Sequence, residues 1–275
     1  AQINDGTIGN ENNNTIRGVD LQFVTIGFNG FVNNNSNSIS NSKVINAQIG
    51  ENGFANINSK VIKNCQLYSD AQSYDDYLKT YKNDKQYFKP ESPETDETDT
   101  NSKGYGLLVC GLRNTTGATS DGKSYIENEK TAGFVNDNQY GDNGCKIISC
   151  SYSGKVYGSN IAAGFFLNNS GEIESSYANA IVTATGTVAG FGYSCIDGVV
   201  IYCHSIGMLL NAENGAGFIY SFQTGNNAWK ATLKYNYSAI WKSTVNNFYF
   251  FNFSYKSDAA WILNNNISNC AYLTS

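Results

Sequence analysis

The sequence predicts an all-β chain: a single parallel β-helix (β-solenoid) of about eight coils with one long loop insertion. Three observations predict it: a composition of strand and turn formers, a short motif that returns along the chain, and polar turns between its copies. Of 275 residues only 15% are charged, against roughly 25% in an ordinary globular domain. Asparagine, glycine, serine and tyrosine take up the difference. Proline occurs twice, methionine once and histidine once. Helix formers are scarce, and β-branched and aromatic residues are common. The net charge of -5 argues against the basic field a nucleic-acid groove needs. No apolar run approaches the roughly 20 residues of a transmembrane helix. The chain starts at Ala1 without a methionine, from which a mature, secreted protein is expected.

The returning motif is a glycine followed by an aromatic. It reads "NGFVNNNSNSISNSKV" from Asn29, "NGFANINSKVIKNCQLY" from Asn52, "AGFVNDNQYGDNGCKIISCSY" from Ala132, "AGFFLNNSGEIESSYA" from Ala163, "AGFGYSCIDGVVIYCHS" from Ala189 and "AGFIYSFQTGNNAWKATLKYNY" from Ala216. The pairs are Gly30 and Phe31, Gly53 and Phe54, Gly133 and Phe134, Gly164 and Phe165, Gly190 and Phe191, Gly217 and Phe218. A weaker copy starts at Tyr105 and a degenerate one at Phe248. Copies lie roughly 23 to 33 residues apart, apart from one gap about twice as long. That is the range of one solenoid coil. Leucine-rich repeats need a leucine pattern and a helical segment, and propeller blades need about 40 residues, so a β-helix fits best.

Within a copy the elements follow from residue type. In the Ala163 copy, Phe165 to Leu167 start a strand and "NNSG" supplies a turn, because Asn and Gly tolerate positive φ. The run that follows alternates, with Ile173, Ser175, Tyr177 and then Ile181 on one phase. Such a unit cannot bury its apolar face alone, and stacking copies closes the core.

These copies resemble the GLUG-type repeats of bacterial surface proteins, in their small-Gly-apolar opening, Asn/Gly turn and "I-x-N/S-C/S-Y" close. The resemblance covers most of the chain apart from the insertion and the two ends. It implies a secreted or surface-attached β-solenoid, often adhesive, and transfers no catalytic residue.

The whole chain, 1–275, reads as one domain. Residues 1–22 are a polar, strand-like N-terminal edge or cap, 71–104 a charged loop insertion, and 248–275 an aromatic C-terminal coil still in repeat form at its end. The insertion holds both prolines and an acidic run and reads as solvated loop. Its Asp96, Glu97 and Asp99 lack the spacing of an EF-hand.

Aligning the copies on their close puts Ser42, Cys65, Cys150, Ser176, Cys203 and Cys270 in one column. There the four cysteines pack as small hydrophobes. Disulfides are the competing use, between columns, as Cys145 with Cys150 or Cys195 with Cys110. Strands near 4.8 Å apart suit same-column bridges poorly. No spacing matches a zinc motif, and no metal or cofactor is expected. Sequons at Asn34 and Asn168 fall in expected turns and would be open to glycosylation. Trp229, Trp241 and Trp261, with Tyr235, Tyr237 and the Phe248 to Phe253 run, offer either glycan contacts or core packing.

Acids within the coils are sparse, with Glu172 and Glu174 on one strand phase and Asp197 one coil later. His204 makes no triad, so no catalytic residue is assigned. The expectation is an extracellular structural β-solenoid rather than an enzyme, a surface adhesin segment or a self-assembling fibre subunit. Its partners would be copies of itself stacked head-to-tail, or host or cell-surface glycans. The alternative is a carbohydrate-binding or polysaccharide-cleaving β-helix.

Overall fold

The computed structural model describes residues 8–68 (except 23, 27–29, 46, 50 and 51), 130–223 (except 141–143), 231–254 and 267–274. It also describes the short strands Gln2–Ile3, Leu108–Cys110, Leu112–Asn114 and Tyr125–Glu127. The chain winds as a parallel β-solenoid through three sheets of twelve, eleven and eight strands. One coil shows the order. Strand Phe166–Asn169 lies in the eleven-stranded sheet, Glu172–Glu174 in the eight-stranded sheet and Tyr177–Thr183 in the twelve-stranded sheet. The chain then re-enters the eleven-stranded sheet one rung on at Thr187–Ala189 and Gly192–Ile196.

Register is fixed by columns of like residues. In the eight-stranded sheet Ile16, Ile39, Ile62, Ile147, Ile173, Val200, Leu233 and Ile267 stand on one another. A slip of one residue would turn this whole column out to water. In the twelve-stranded sheet the inward column runs Leu67, Tyr152, Ala178, Ser205 and Ser238. Ala178 is small beside the buried Tyr152, whose hydroxyl donates to the Lys155 carbonyl at 2.6 Å.

The Gly-Phe pairs mark a bend within the eleven-stranded sheet: Gly164 and Phe165, for example, separate Ile161–Ala163 from Phe166–Asn169, both strands of that sheet, and Gly217 and Phe218 lie inside Asn214–Gln223. Phe31, Phe54, Phe134, Phe165, Phe191 and Phe218 stack as parallel rings 4.6–4.9 Å apart, all buried. Each glycine precedes its ring because the backbones meet there. A Cβ on Gly30, Gly53, Gly133, Gly164 or Gly190 would overlap the carbonyl oxygen of the next glycine in the column.

Two sequence expectations need correcting. The copy at Tyr105 does not open a coil. Gln66–Tyr68 pairs with Ser151 to Ser153, and Leu108–Cys110 pairs with Lys155 to Tyr157, the second half of the same neighbouring strand. The long insertion therefore leaves and rejoins within one rung of the twelve-stranded sheet. Residues 71–104 lie outside the described residues. The phase expected for Ile173, Ser175 and Tyr177 also breaks. Ile173 points inward, whereas Ser175 and Tyr177 are exposed. A kink at Ser175, with φ of 51°, resets the alternation between the two strands.

Residues 9–22 already form regular rungs, with Gly9–Asn12, Ile16–Arg17 and Asp20–Gln22 paired in parallel to the coil above. Of 248–275, strands Asn247–Ser254, Ile267–Ser268 and Ala271–Thr274 continue the three sheets.

Candidate functional site at the corner between two sheets

The turn from the eight-stranded into the twelve-stranded sheet is built the same way in every coil. One residue adopts a left-handed conformation, and the next points a small polar group inward, except in the first coil, where Val19 follows Gly18 and packs on the core. The left-handed residues are Gly18, Asn41, Asn64, Ser149, Ser175, Tyr202, Tyr235 and Asn269. The seven that carry side chains have φ between 51° and 56°. Glycine and asparagine fill such positions at little cost, but a bulky side chain there is an outlier costing on the order of 1–2 kcal/mol.

The inward column after it contains Ser42, Cys65, Cys150, Ser176, Cys203 and Cys270, as the sequence alignment expects. It also contains Asn236 between the last two cysteines, a member that an alignment on cysteine and serine leaves out. Asn236 donates Nδ2 to the Val200 carbonyl of the neighbouring rung at 2.9 Å, while each serine and cysteine bonds in two directions. Its hydroxyl or thiol donates to the carbonyl two residues back, as Ser176 Oγ to Glu174 O at 2.9 Å and Cys203 Sγ to Ile201 O at 3.2 Å. It also accepts the backbone N–H of the adjacent rung, as Cys150 N to Ser176 Oγ at 3.1 Å, and Asn236 Oδ1 accepts likewise from Cys203 N at 2.8 Å. These bonds satisfy backbone groups that a sharp corner would otherwise orphan. The six described cysteines are free thiols. Burial pushes Cys195 and Cys203 up to about 12 and holds Cys150 well above the usual thiol range. Such thiols are inert packing groups. Cys145 and Cys195 are buried as well, and the side chain of Cys110 lies outside the described residues.

Outside this corner the rings gather. Tyr202 and Tyr235 stack at 5.0 Å on the left-handed column. Two residues on in each rung, Tyr177, His204 and Tyr237 stack at 4.9 and 4.6 Å. The four tyrosines are 37–54% exposed, unlike the phenylalanine stack within. Burial lowers the His204 pKa, so the ring is neutral at neutral pH. The residues that end the first stack are Ser175 and Asn269, both exposed and small. Ala271 follows Tyr237 in the second, and its methyl cannot cover the phenol ring.

Asparagine lines the eleven-stranded sheet on both faces. Inside, Asn12, Asn35, Asn58 and Asn138 each donate Nδ2 to the Oδ1 of the next, ending at Asn169, at 2.7–2.8 Å. Outside, Asn136, Asn56 and Asn33 donate the opposite way, ending at Asn10 Oδ1, at 2.8–3.0 Å. The two sequon residues expected in turns lie instead on the strands Val32–Asn35 and Phe166–Asn169. The strands run further into the Asn runs than expected because the amide ladders hold them. Asn34 donates to Glu11 at 2.6 Å and Asn168 to Asp137 at 2.5 Å. Glu172 faces outward and pairs with Lys146 at 2.8 Å. Among the described residues no three His, Cys, Asp or Glu side chains converge. Trp229 and Trp261 lie outside the described residues; Trp241 falls in the strand Tyr237–Ser243, and its side chain is likewise outside them.

Comparison with protein-family models, curated proteins and solved structures returned no match.

Proposed function

We propose that the chain is a structural β-solenoid of an extracellular assembly, a surface adhesin segment or the subunit of a fibre, of the GLUG-type repeat kind. The observation that carries this reading is that parallel strand pairing continues out to the outermost described strands of all three sheets, through the register shifts where Tyr237–Ser243 and Asn247–Ser254 join the preceding rung. At one end these are Gln2–Ile3, Gly9–Asn12, Ile16–Arg17 and Asp20–Gln22; at the other they are Asn247–Ser254, Ile267–Ser268 and Ala271–Thr274. Edge strands present rows of backbone donors and acceptors that template another strand. At the first end the buried amide ladder stops at Asn12, which donates inward to Asn35. Among the described residues its Oδ1 takes only a 3.3 Å bond from the Asn14 N–H, so it can accept a further amide from a rung stacked on it. The two ends differ, asparagine-rich at one and aromatic at the other, so stacking is heterologous and propagates. The short Gly-Phe motif and its likeness to bacterial surface repeats support display outside the cell.

Negative-stain electron microscopy of native protein over a concentration series tests this. The expected result is uniform threads whose length grows with concentration. Isolated short rods at every concentration overturn the self-assembly reading.

A further inference from the structure

We propose that the tyrosine-lined corner formed by Tyr177, Tyr202, His204, Tyr235 and Tyr237 is a binding surface for a neutral polysaccharide. The first observation is a conformational outlier. Six of the eight left-handed corner positions hold Gly, Asn or Ser, and only two neighbouring coils hold tyrosine. A bulky ring in that region is disfavoured by the backbone, and residues held in such conformations concentrate at functional sites. Nor is burial a reason to keep the rings: Tyr202 is 54% and Tyr235 48% exposed.

The second observation is coincidence in space. The same two coils carry His204 and Tyr237, stacked with Tyr177, two residues beyond each left-handed tyrosine. Two short ring stacks thus run side by side along the solenoid axis. Stacked rings cover one another's faces, so what they offer a ligand is edges, hydroxyls and the outer faces of the terminal rings. Ser175 and Asn269 bound the first stack, and Ala271 follows Tyr237 in the second. Sugar rings fit that offer, with C–H faces for the aromatic rings and hydroxyls for the phenols and the Asn269 amide.

Charge selects the class. The nearest charged side chains in these rungs, Glu174 and Lys234, are of opposite sign and stand on either side of Ile201 in their column. His204 is neutral above its lowered pKa. Among the described residues the corner therefore has no excess charge to attract an anionic or cationic polymer. Binding here does not require the chain to assemble, so single rods that bind would leave this inference standing while ending the fibre reading.

The test is affinity electrophoresis in native gels containing a soluble β-glucan, a soluble α-glucan or a sulfated polysaccharide. The variant is Tyr202→Asn with Tyr235→Asn, which installs the residue that Asn41, Asn64 and Asn269 already provide at this position. A Tyr140→Ala variant, exposed elsewhere, is the control. The expected result is retardation by at least one neutral glucan, with the double variant binding about tenfold more weakly, melting no lower than the parent, and Tyr140→Ala unchanged. No retardation by either neutral glucan, or retardation by the sulfated polymer alone, overturns the inference. So does equal binding by the double variant. A double variant that melts several degrees lower would mean the rings are structural supports, which also overturns it.

Discussion

Asn58 and Asn56 sit two residues apart on the strand Ala55–Asn58 and make nearly the same hydrogen bonds. Asn58 accepts from Asn35 at 2.8 Å and donates to Asn138 at 2.8 Å. Asn56 accepts from Asn136 at 2.8 Å and donates to Asn33 at 2.9 Å. Burial separates them, since Asn58 is fully buried and Asn56 only partly. Replacing Asn58 by alanine removes the donor to Asn138 Oδ1 and the acceptor for Asn35 Nδ2 at a position sealed from bulk solvent. It also removes the 3.1 Å bond from Asn58 to the Lys60 carbonyl. Each buried group left unpaired costs about 1–3 kcal/mol. Asn35 Nδ2 keeps a 3.3 Å bond to the Val61 carbonyl, so the total comes to about 2–4 kcal/mol. Asn56→Ala exposes its neighbours to solvent and should cost about 0.5 kcal/mol or less. Urea titrations followed by circular dichroism would measure both, with equal slopes required for the comparison. Equal costs at the two positions, or a cost under about 1 kcal/mol at Asn58, would refute the reasoning that desolvation rather than bond geometry sets the value of these ladders.

Other expectations follow from the same columns. Gly164→Ala drives a methyl into the Gly190 carbonyl, where only backbone could give way, and should cost more than about 3 kcal/mol or prevent folding, read by the same titration. Phe134→Ala opens the middle of the ring stack and should cost about 3–5 kcal/mol. The thiols of Cys195 and Cys203, pushed up to about 12, bind protons in the folded state that the unfolded chain releases near pH 9. Stability is therefore complete below pH 9 and falls as pH rises towards 12, by about 1.4 kcal/mol per unit for each thiol. Urea midpoints between pH 8 and 11 would detect this, and a flat profile would contradict it. His204 has the opposite sign. Its lowered pKa means the folded state holds fewer protons, so its contribution is present above the unfolded value of about 6.5 and is lost as pH falls through the folded one. An NMR titration should place its midpoint below that value.

The parts of the fold that repeat in residue identity are legible in the sequence. The Gly-Phe pairs announce a bend in the chain because the steric demand, no Cβ and then a buried ring, admits few other residues. The cysteine column can be aligned for the same reason. The rest is fixed by backbone conformation rather than by residue type. The left-handed corner accepts Gly, Asn, Ser and Tyr alike, so no single letter marks it, and strand alternation does not carry across it from Ile173 to Tyr177. Asn236 escapes the column because an amide does there what a thiol or hydroxyl does elsewhere. The insertion's return at Leu108 resembles a new coil because half a rung carries little pattern. The aromatic corner does leave a signal. The triplets around the polar column read "SCS", "SSY", "YCH", "YNY" and "NCA" in successive coils, and aromatic or imidazole rings flank the column on both sides in just two neighbours. The tryptophans stand out more as the larger aromatics, but ring size says nothing about which column a residue joins.

In-register stacking of coils is the claim from which every column, ladder and surface above follows. Brief photo-oxidation that couples neighbouring phenols to dityrosine, followed by peptide mapping of the monomer fraction, tests it most directly. Tyr202 and Tyr235 lie 5.0 Å apart between ring centroids and Tyr193 and Tyr220 5.6 Å apart. Both pairs should therefore be recovered as intramolecular links, each joining one coil to the next. Linked pairs from non-adjacent coils, or a monomer in which neither of these two links forms, would contradict it.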